Sequence, residues 1–322
     1  MAIPLLHTRL MRSFPIVVAV IVLMMLNACV GRMETKPLLS AVCGIDWPQQ
    51  AGLTKTVLPD SHNGQGLQVL VFNIHDRLLP GSLFSSEAHT EEEVACIGDL
   101  ASRYDLVLFQ EAFVRPSQLA RYTGHAWADH PMFTEGGGGD WWPLRMMCEI
   151  CLSPGLLMLA REKPESIYAE PYEAFAGWNT DLNKADDFFS KGFQLVQFPG
   201  FWVLNSHMDA GRGQDSIEAR ALQFRQITAG LKRLVPSDAS LLIGMDSNLR
   251  PDLEEQDGAI LEEFLAQNGL TLIYQKGPDL IAVRGLETDH PRFLPLKGIL
   301  SDHNALSVII HPQSLSHSSS SP

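Results

Sequence analysis

The chain has 322 residues, 45% of them hydrophobic and 19% charged, with a formal net charge of -13. This is enough apolar material for one large core or two modest ones, and with no internal repeat and no second set of motifs it points to one catalytic domain. An acidic surface excludes a general electrostatic affinity for phosphate polymers, although a bound divalent cation would change the local field.

The amino terminus reads as a targeting segment. Arg9 and Arg12 precede an apolar run from Pro15 to Leu26 that is short for a bilayer span and suits the core of a signal peptide. The run ends Leu26-Asn27-Ala28-Cys29, which resembles the bacterial lipobox, where cleavage precedes a cysteine that receives lipid; Asn27 is the less usual occupant. The alternative is an ordinary secretory signal or an uncleaved anchor. Removing residues 1–28 leaves 22 basic against 37 acidic residues, a net of -15. Val30, where an aspartate would favour inner-membrane retention, makes the outer membrane of a Gram-negative bacterium the expected location. Residues 29–66 read as lipidated Cys29 and a periplasmic spacer.

Beyond Cys29, Cys43, Cys96, Cys148 and Cys151 remain. An even count in an oxidising compartment permits two disulfides in three connectivities. Cys148-x-x-Cys151 lacks the second pair that a zinc site needs, which favours a disulfide or free thiols.

The expected catalytic domain spans 67–312. Its first strand, Gln68–Asn73, is followed by Thr90-Glu91-Glu92-Glu93, a capping-box pattern that opens a helix with Val94, Ile97, Leu100 and Ala101 on one face. A second apolar strand, Leu106–Gln110, runs into Glu111, and Pro116 opens a short helix. Residues 132–154 read as a flexible apolar insertion: Gly136–Gly139, then Trp141, Trp142, Met146 and Met147. The glycine run lacks the Gly-Lys-Ser/Thr ending of a phosphate loop, so the segment is either folded back on the domain or a lid that contacts substrate or membrane. Gly155–Ala160 reads as a strand, and Phe193–Phe198 with Phe201–Asn205 as a hairpin about Pro199-Gly200. An amphipathic helix follows over Ser216–Leu234, then a strand to Asp246, a helix near Gly258–Gln267 and strands at Asp279–Val283 and Ala305–Ile310. Residues 313–322 are a serine-rich tail expected to be disordered.

Hairpin-linked strands mixed with helices predict an α/β fold of two packed sheets with helices outside, not a doubly wound parallel sheet. The strands share a second property: each runs into a polar or acidic group, namely Asn73, Glu111, Asn205 and His207, Asp246 and Asn248, while Ser301-Asp302-His303 precedes the last strand. Singly, each reads as a turn residue, a helix-start acid or a half-buried polar group. Together, at the same kind of place, they predict one rim.

Taken in order, Phe72-Asn73-Ile74, Phe109-Gln110-Glu111, Asn205-Ser206-His207, Gly244-Met245-Asp246-Ser247-Asn248, Asp279-Leu280-Ile281 and Ser301-Asp302-His303 resemble the motifs of the endonuclease/exonuclease/phosphatase family. This family includes deoxyribonucleases, apurinic endonucleases, inositol-polyphosphate 5-phosphatases and neutral sphingomyelinases. The resemblance runs from about Gln68 to His311, and Gly155-Leu156 and Lys191-Gly192 resemble its sphingomyelinase-like branch. One departure is visible: the usual Gly-Asp-x-Asn carries an extra residue, Met245, before the acid, while Asp246 and Asn248 keep their spacing.

The resemblance implies a four-layered α/β sandwich and Mg²⁺-dependent hydrolysis of phosphate esters, with Mn²⁺ or Ca²⁺ as alternative ions. It assigns Asn73, Glu111 and Asp302 to the metal, a set of oxygen ligands suited to a hard cation. It assigns His303 to taking a proton from the attacking water or stabilising developing charge, with Asp279 orienting its ring. His207 would donate on the other side of the phosphate, and Asp246 and Asn248 would position the nucleophile and a phosphate oxygen. The expected substrate is a membrane phosphodiester such as sphingomyelin, reached by a monomer anchored through Cys29. A nuclease acting on nucleic acid is the main alternative. A surface lipoprotein that keeps the fold as an inactive binding module is the third, and it predicts losses among the site residues that the sequence does not show.

Overall fold

A computed structural model describes residues 66–76, 89–133, 153–176 and 190–312 of the protein. The expected signal peptide and lipidated Cys29, nearly all of the spacer, the tryptophan-bearing part of the insertion and the tail lie outside these residues.

Two six-stranded sheets form the centre. The first contains β1 (Leu67–Asp76), β2 (Leu106–Ala112), β3 (Trp127–Asp129), β4 (Leu157–Ala160), β11 (Glu287–Leu294) and β12 (Ala305–His311), in the order β11-β12-β1-β2-β4-β3. The second contains β5 (Ser166–Pro171), β6 (Gly192–Phe198), β7 (Phe201–His207), β8 (Leu241–Asp246), β9 (Thr271–Lys276) and β10 (Asp279–Arg284), in the order β5-β6-β7-β8-β10-β9. Both are mixed: β1–β2 and β7–β8 pair in parallel, and the remaining pairs are antiparallel.

Strand alternation sorts the apolar residues into three cores. Val69, Val71, Leu106, Leu108, Val203, Leu242, Ile281 and Leu306 face inward and fill the space between the sheets. Their neighbours Leu70, Phe72, Val107 and Phe109 face outward, onto α1 (Glu91–Ala101) and α2 (Pro116–Thr123). On the other side Leu204, Leu241, Ile243 and Met245 pack with Phe224, Ile227 and Leu231 of α3 (Gln214–Leu234) and with Leu261 and Phe264 of α4 (Glu255–Asn268). The result is the expected four-layer order of helix, sheet, sheet, helix.

Local signals end the helices where the sequence places them. Thr90 and Glu93 form the full capping box at the start of α1: Glu93 N donates to Thr90 Oγ1 at 3.3 Å and Thr90 N to Glu93 Oε2 at 2.7 Å. Gly124 and Gly269 close α2 and α4 in the left-handed conformation. Cys96, buried on α1, is disulfide-bonded.

Gly244 positions the site above it. It lies on the inner face of β8 between Leu242 and Asp246, and a Cβ there would stand 2.5 Å from Val71 Cγ2 and 2.6 Å from Leu108 Cδ1. The sheets approach this closely because position 244 has no side chain. The extra Met245 causes no bulge: it pairs with Leu280 in an unbroken register from Asp279↔Asp246 to Arg284↔Leu241, its side chain in the outer core.

Candidate active site

The inner faces carry polar residues at one end of the sandwich. In the second sheet His207 of β7 is paired with Asp246 of β8, and Asp246 with Asp279 of β10, so three functional groups form one row across three strands. In the first sheet Asn73 of β1 is paired with Gln110 of β2, and Glu111 follows. Beneath the row a pair of buried amides bridges the sheets: Gln110 Nε2 donates to Asn205 Oδ1 at 2.8 Å, and Asn205 Nδ2 to the Phe109 carbonyl at 3.1 Å. Ser301 Oγ donates to the Asn73 carbonyl at 2.7 Å and brings Asp302 and His303 to the same rim.

Backbone strain marks this rim. Four non-glycine residues among those described have left-handed φ, and three are here: His75 (54°), Glu111 (56°) and Asn248 (52°). Such conformations cost about 1–3 kcal/mol each and persist where surrounding contacts over-determine them. At Glu111 the turn breaks the alternation that would send a residue after inward Gln110 toward the helices. Asn248 is held by its own N–H donating to Asp246 Oδ1 at 2.9 Å and by Nδ2 donating to the Met208 carbonyl at 2.9 Å.

The side chains converge on Glu111 and Asp246. Asn73 Nδ2 donates to Glu111 Oε1 at 3.0 Å and to Asp246 Oδ2 at 2.8 Å. His207 Nε2 lies 3.6 Å from each of the same two oxygens. His303 Nε2 lies 3.7 Å from Asp246 Oδ2, and its Nδ1 is 3.0 Å from Asp279 Oδ2. Asp302 is half exposed, with Oδ1 3.9 Å from His303 Nε2. All eight residues singled out in the sequence therefore lie in one connected cluster. Asn73, Glu111, His207, Asp246 and Asp279 are buried.

The cluster differs in detail from the expected ligand set. Two compact groups offer three ligand atoms each within 4.8 Å: Glu111, His207 and Asp246, and Asp246, Asp279 and His303. Asp302 belongs to neither, and Asn73 turns its amide nitrogen to the carboxylates while its Oδ1 accepts from the His75 N–H at 3.0 Å. The donor set still fits a divalent cation: buried carboxylates converge with imidazoles, and buried anions need a counter-charge. Glu111, Asp246 and His207 are the residues best placed to hold it.

The electrostatics follow from this crowding. Burial by itself lowers the His303 imidazole, but Asp246, Asp279 and Asp302 outweigh it and lift its pKa to about 10. Burial lifts Asp279 to about 7 against the opposing pull of His303. The two groups are held together by the contact from His303 Nδ1 to the Asp279 carboxylate, 3.0 Å to Oδ2. Burial raises Asp302 too, but the bond from His75 and the charge of His303 more than offset this, and its pKa is lowered.

Two residues of the cluster escape motif reading. His75 Nδ1 stands 3.0 Å from Asp302 Oδ1 and 3.4 Å from Glu111 Oε2. The period of two along β1 (Val69, Val71, Asn73, His75) is the signal that would have found it. Lys191, buried, puts Nζ 2.9 Å from His207 Nε2 and 3.2 Å from the Met208 carbonyl. In the sequence it stands out only through its resemblance to the sphingomyelinase-like branch.

No protein-family sequence model matches the chain, and no curated protein matches it in sequence. Solved structures do. Sphingomyelinase C from Streptomyces griseocarneus is 18% identical, with a TM-score of 0.53 over 76% of this chain and 99% of that chain. A beta toxin of Staphylococcus aureus with bound magnesium ions is 14% identical, with a TM-score of 0.52 over 76% of this chain and 99% of that chain. An endonuclease/exonuclease/phosphatase from Beutenbergia cavernae is 12% identical, with a TM-score of 0.52 over 77% of this chain and 72% of that chain. Two six-stranded sheets, the helices outside them and the similarity to these structures show that the chain has the endonuclease/exonuclease/phosphatase fold.

Proposed function

We propose that the protein is a divalent-cation-dependent hydrolase of phosphate esters, a phosphodiesterase that acts on a membrane phospholipid of the sphingomyelin type with Mg²⁺ as the ion. The observation that carries this reading is the row His207–Asp246–Asp279 facing Glu111 and Asn73 across the sheets, closed by His303. Such an arrangement suits phosphoryl transfer, which needs positioning and charge neutralisation more than covalent chemistry. Glu111, Asp246 and His207 would hold the cation, which would supply charge neutralisation to the substrate phosphate and offset the carboxylate charge that lifts His303.

The chain's own groups do the rest. Asp279 holds the His303 ring by Nδ1 and leaves Nε2 facing Asp246 and the rim. From there His303 orients the attacking water and holds or moves a proton beside the developing phosphorane charge. His207, backed by Lys191, faces the same oxygens from the other side. Asp246 and Asn248 position the nucleophile and a phosphate oxygen. Asn73 spaces Glu111 from Asp246 with its two N–H bonds.

The choice of a lipid rests on three further points: the net charge of -13, unfavourable to polyanions; the lipobox resemblance at Cys29, which would keep an exported monomer on the cell envelope; and the tryptophan-rich insertion. The test is hydrolysis by purified protein with Mg²⁺ of sphingomyelin vesicles, other phospholipid vesicles, DNA and a small soluble phosphodiester. Phospholipid turnover exceeding DNA turnover and abolished by EDTA is the expected result. Preference for DNA would replace the lipid reading with a nuclease. No turnover on any substrate, with or without metal, would leave only a binding module.

A further inference from the structure

We propose that Gln110 and Asn205 are positioning residues: their paired amides lock one sheet against the other beneath the active site and so set the distance between Glu111 and the His207–Asp246 pair. The inference rests on the metal-dependent reading above and concerns two residues to which that reading gives no role.

The site is assembled from two sheets, so its dimensions depend on how the sheets are held. Glu111 and Asn73 come from the first sheet, His207 and Asp246 from the second, and His207 Nε2 stands 3.6 Å from both Glu111 Oε1 and Asp246 Oδ2. Gln110 immediately precedes Glu111. Asn205 lies two residues before His207 on the same face of β7, and it is paired with Gly244, two residues before Asp246 on β8. The two amides therefore meet one row beneath the proposed cation ligands, beside the glycine that lets the sheets approach.

Their bonds run in opposite directions across the gap. Gln110 Nε2 donates from the first sheet to Asn205 Oδ1 at 2.8 Å, and Asn205 Nδ2 donates back to the Phe109 carbonyl at 3.1 Å. The orientation is forced: a carbonyl only accepts, so Phe109 claims the Asn205 N–H and leaves Oδ1 for the Gln110 amide. Both side chains are fully buried, and the layer beneath them is apolar, with Val71, Leu108, Val203 and Leu242. Apolar contact holds the sheets together without direction, whereas two opposed amide bonds fix their lateral offset. Gln110 Oε1 is buried with no hydrogen-bond partner among the described residues, which costs stability. An amide kept at such a cost is explained by the position it enforces. In the same row Gln194 of β6, the cross-strand partner of Asn205, donates to Asp129 of the first sheet, a second bond from sheet to sheet.

The experiment uses the full chain in detergent, Mn²⁺ as the metal probe and bis-p-nitrophenyl phosphate as the substrate. The variants are the apolar pair Gln110→Met with Asn205→Leu, the single variant Gln110→Asn, and the exchanged pair Gln110→Asn with Asn205→Gln. The apolar pair removes both amides together, so the metal-free melting temperature should hold. Its kcat at saturating Mn²⁺ should nevertheless fall about 10²-fold with KM little changed, and its Mn²⁺ affinity should fall, because the ligands from the two sheets are no longer held in register. Gln110→Asn adds no bulk and withdraws the donor from Asn205, so it should lose turnover in the same way. The exchanged pair again spans the gap with one long and one short amide and should recover part of that loss. A purely structural role would lower the melting temperature and leave the Mn²⁺ affinity and kcat of the folded molecules unchanged. Parent-like kcat and Mn²⁺ affinity in the apolar pair would overturn the proposal, and if that pair does not fold, the same result in Gln110→Asn would do so. A parent chain that binds no Mn²⁺ and hydrolyses nothing would overturn the metal-dependent function and this proposal with it, whereas an active, Mn²⁺-binding parent matched by its variants overturns the proposal alone.

Discussion

His303 donates from Nδ1 to Asp279 Oδ2 at 3.0 Å, and the bond ties the loop entering β12 of one sheet to the first residue of β10 in the other. The carboxylates around this ring raise its pKa to about 10, above the usual histidine value of 6.5. Asp279→Asn removes one of them and the acceptor that orients the ring. The His303 pKa should drop in the metal-free protein, read by NMR titration, and hydrolysis should fall about 10²-fold or more. For stability, a raised imidazole pKa contributes most below pH 6.5 and is lost as pH rises toward 10. Asp279→Asn should therefore flatten that alkaline loss. A His303 titration unchanged by the substitution would contradict the pairing.

Glu111→Gln keeps the shape of the central carboxylate and removes its charge. Hydrolysis and Mn²⁺ binding should both be lost, and EDTA should do the same to the parent until Mg²⁺ is restored. The metal-free melting temperature should hold or rise, because a buried anion beside Asp246 costs stability. Full activity in excess chelator would rule out a metal-dependent site.

Gly244→Ala places a methyl group against Val71 and Leu108 at the closest approach of the sheets. Overpacking of this kind costs about 1–3 kcal/mol. The same shift moves Asp246, two residues along the same face, so turnover should fall more than stability explains when both are measured below the melting transition. Unchanged turnover would mean that the rim is insulated from the packing beneath it.

Thr90→Ala removes the cap of α1 and should lower stability by about 1 kcal/mol in chemical denaturation. His89 leads the causes that hold Glu93 at about 2, below its ordinary 4.5, against the opposing effect of burial. A lowered carboxylate contributes stability above pH 4.5 that is lost as pH falls toward 2. Glu93→Gln should therefore reduce the steepness of acid unfolding in that window, and an unaltered acid profile would count against the capping network.

Cys29→Ser should block fatty-acid incorporation and release the protein from the membrane fraction. Labelled lipid elsewhere in the chain, or a mature amino terminus at another residue, would refute anchoring at Cys29.

The sequence by itself determined the central strands, the helices and the order of the site motifs. Val69–Phe72, Leu106–Phe109 and Leu241–Met245 are buried on both faces, so each is a continuous apolar run visible in isolation. The capping box at Thr90 and the glycines at 124 and 269 act through neighbours a few residues away. Only the tertiary structure decided the four strands that sequence reading passed over, β3, β5, β9 and β11, which form the two edges of each sheet. An edge strand is half exposed, so β11 carries Glu287, Asp289, His290 and Arg292, and it becomes a strand by pairing with β12. The site divides in the same way. A polar residue at the end of an apolar strand is legible, but the contacts among Glu111, His207 and Asp246 depend on two sheets meeting over Gly244. The left-handed turns that aim His75 and Glu111, and the carboxylate field that lifts His303, arise from residues distant in sequence brought within a few ångströms, and local pattern carries no record of that distance.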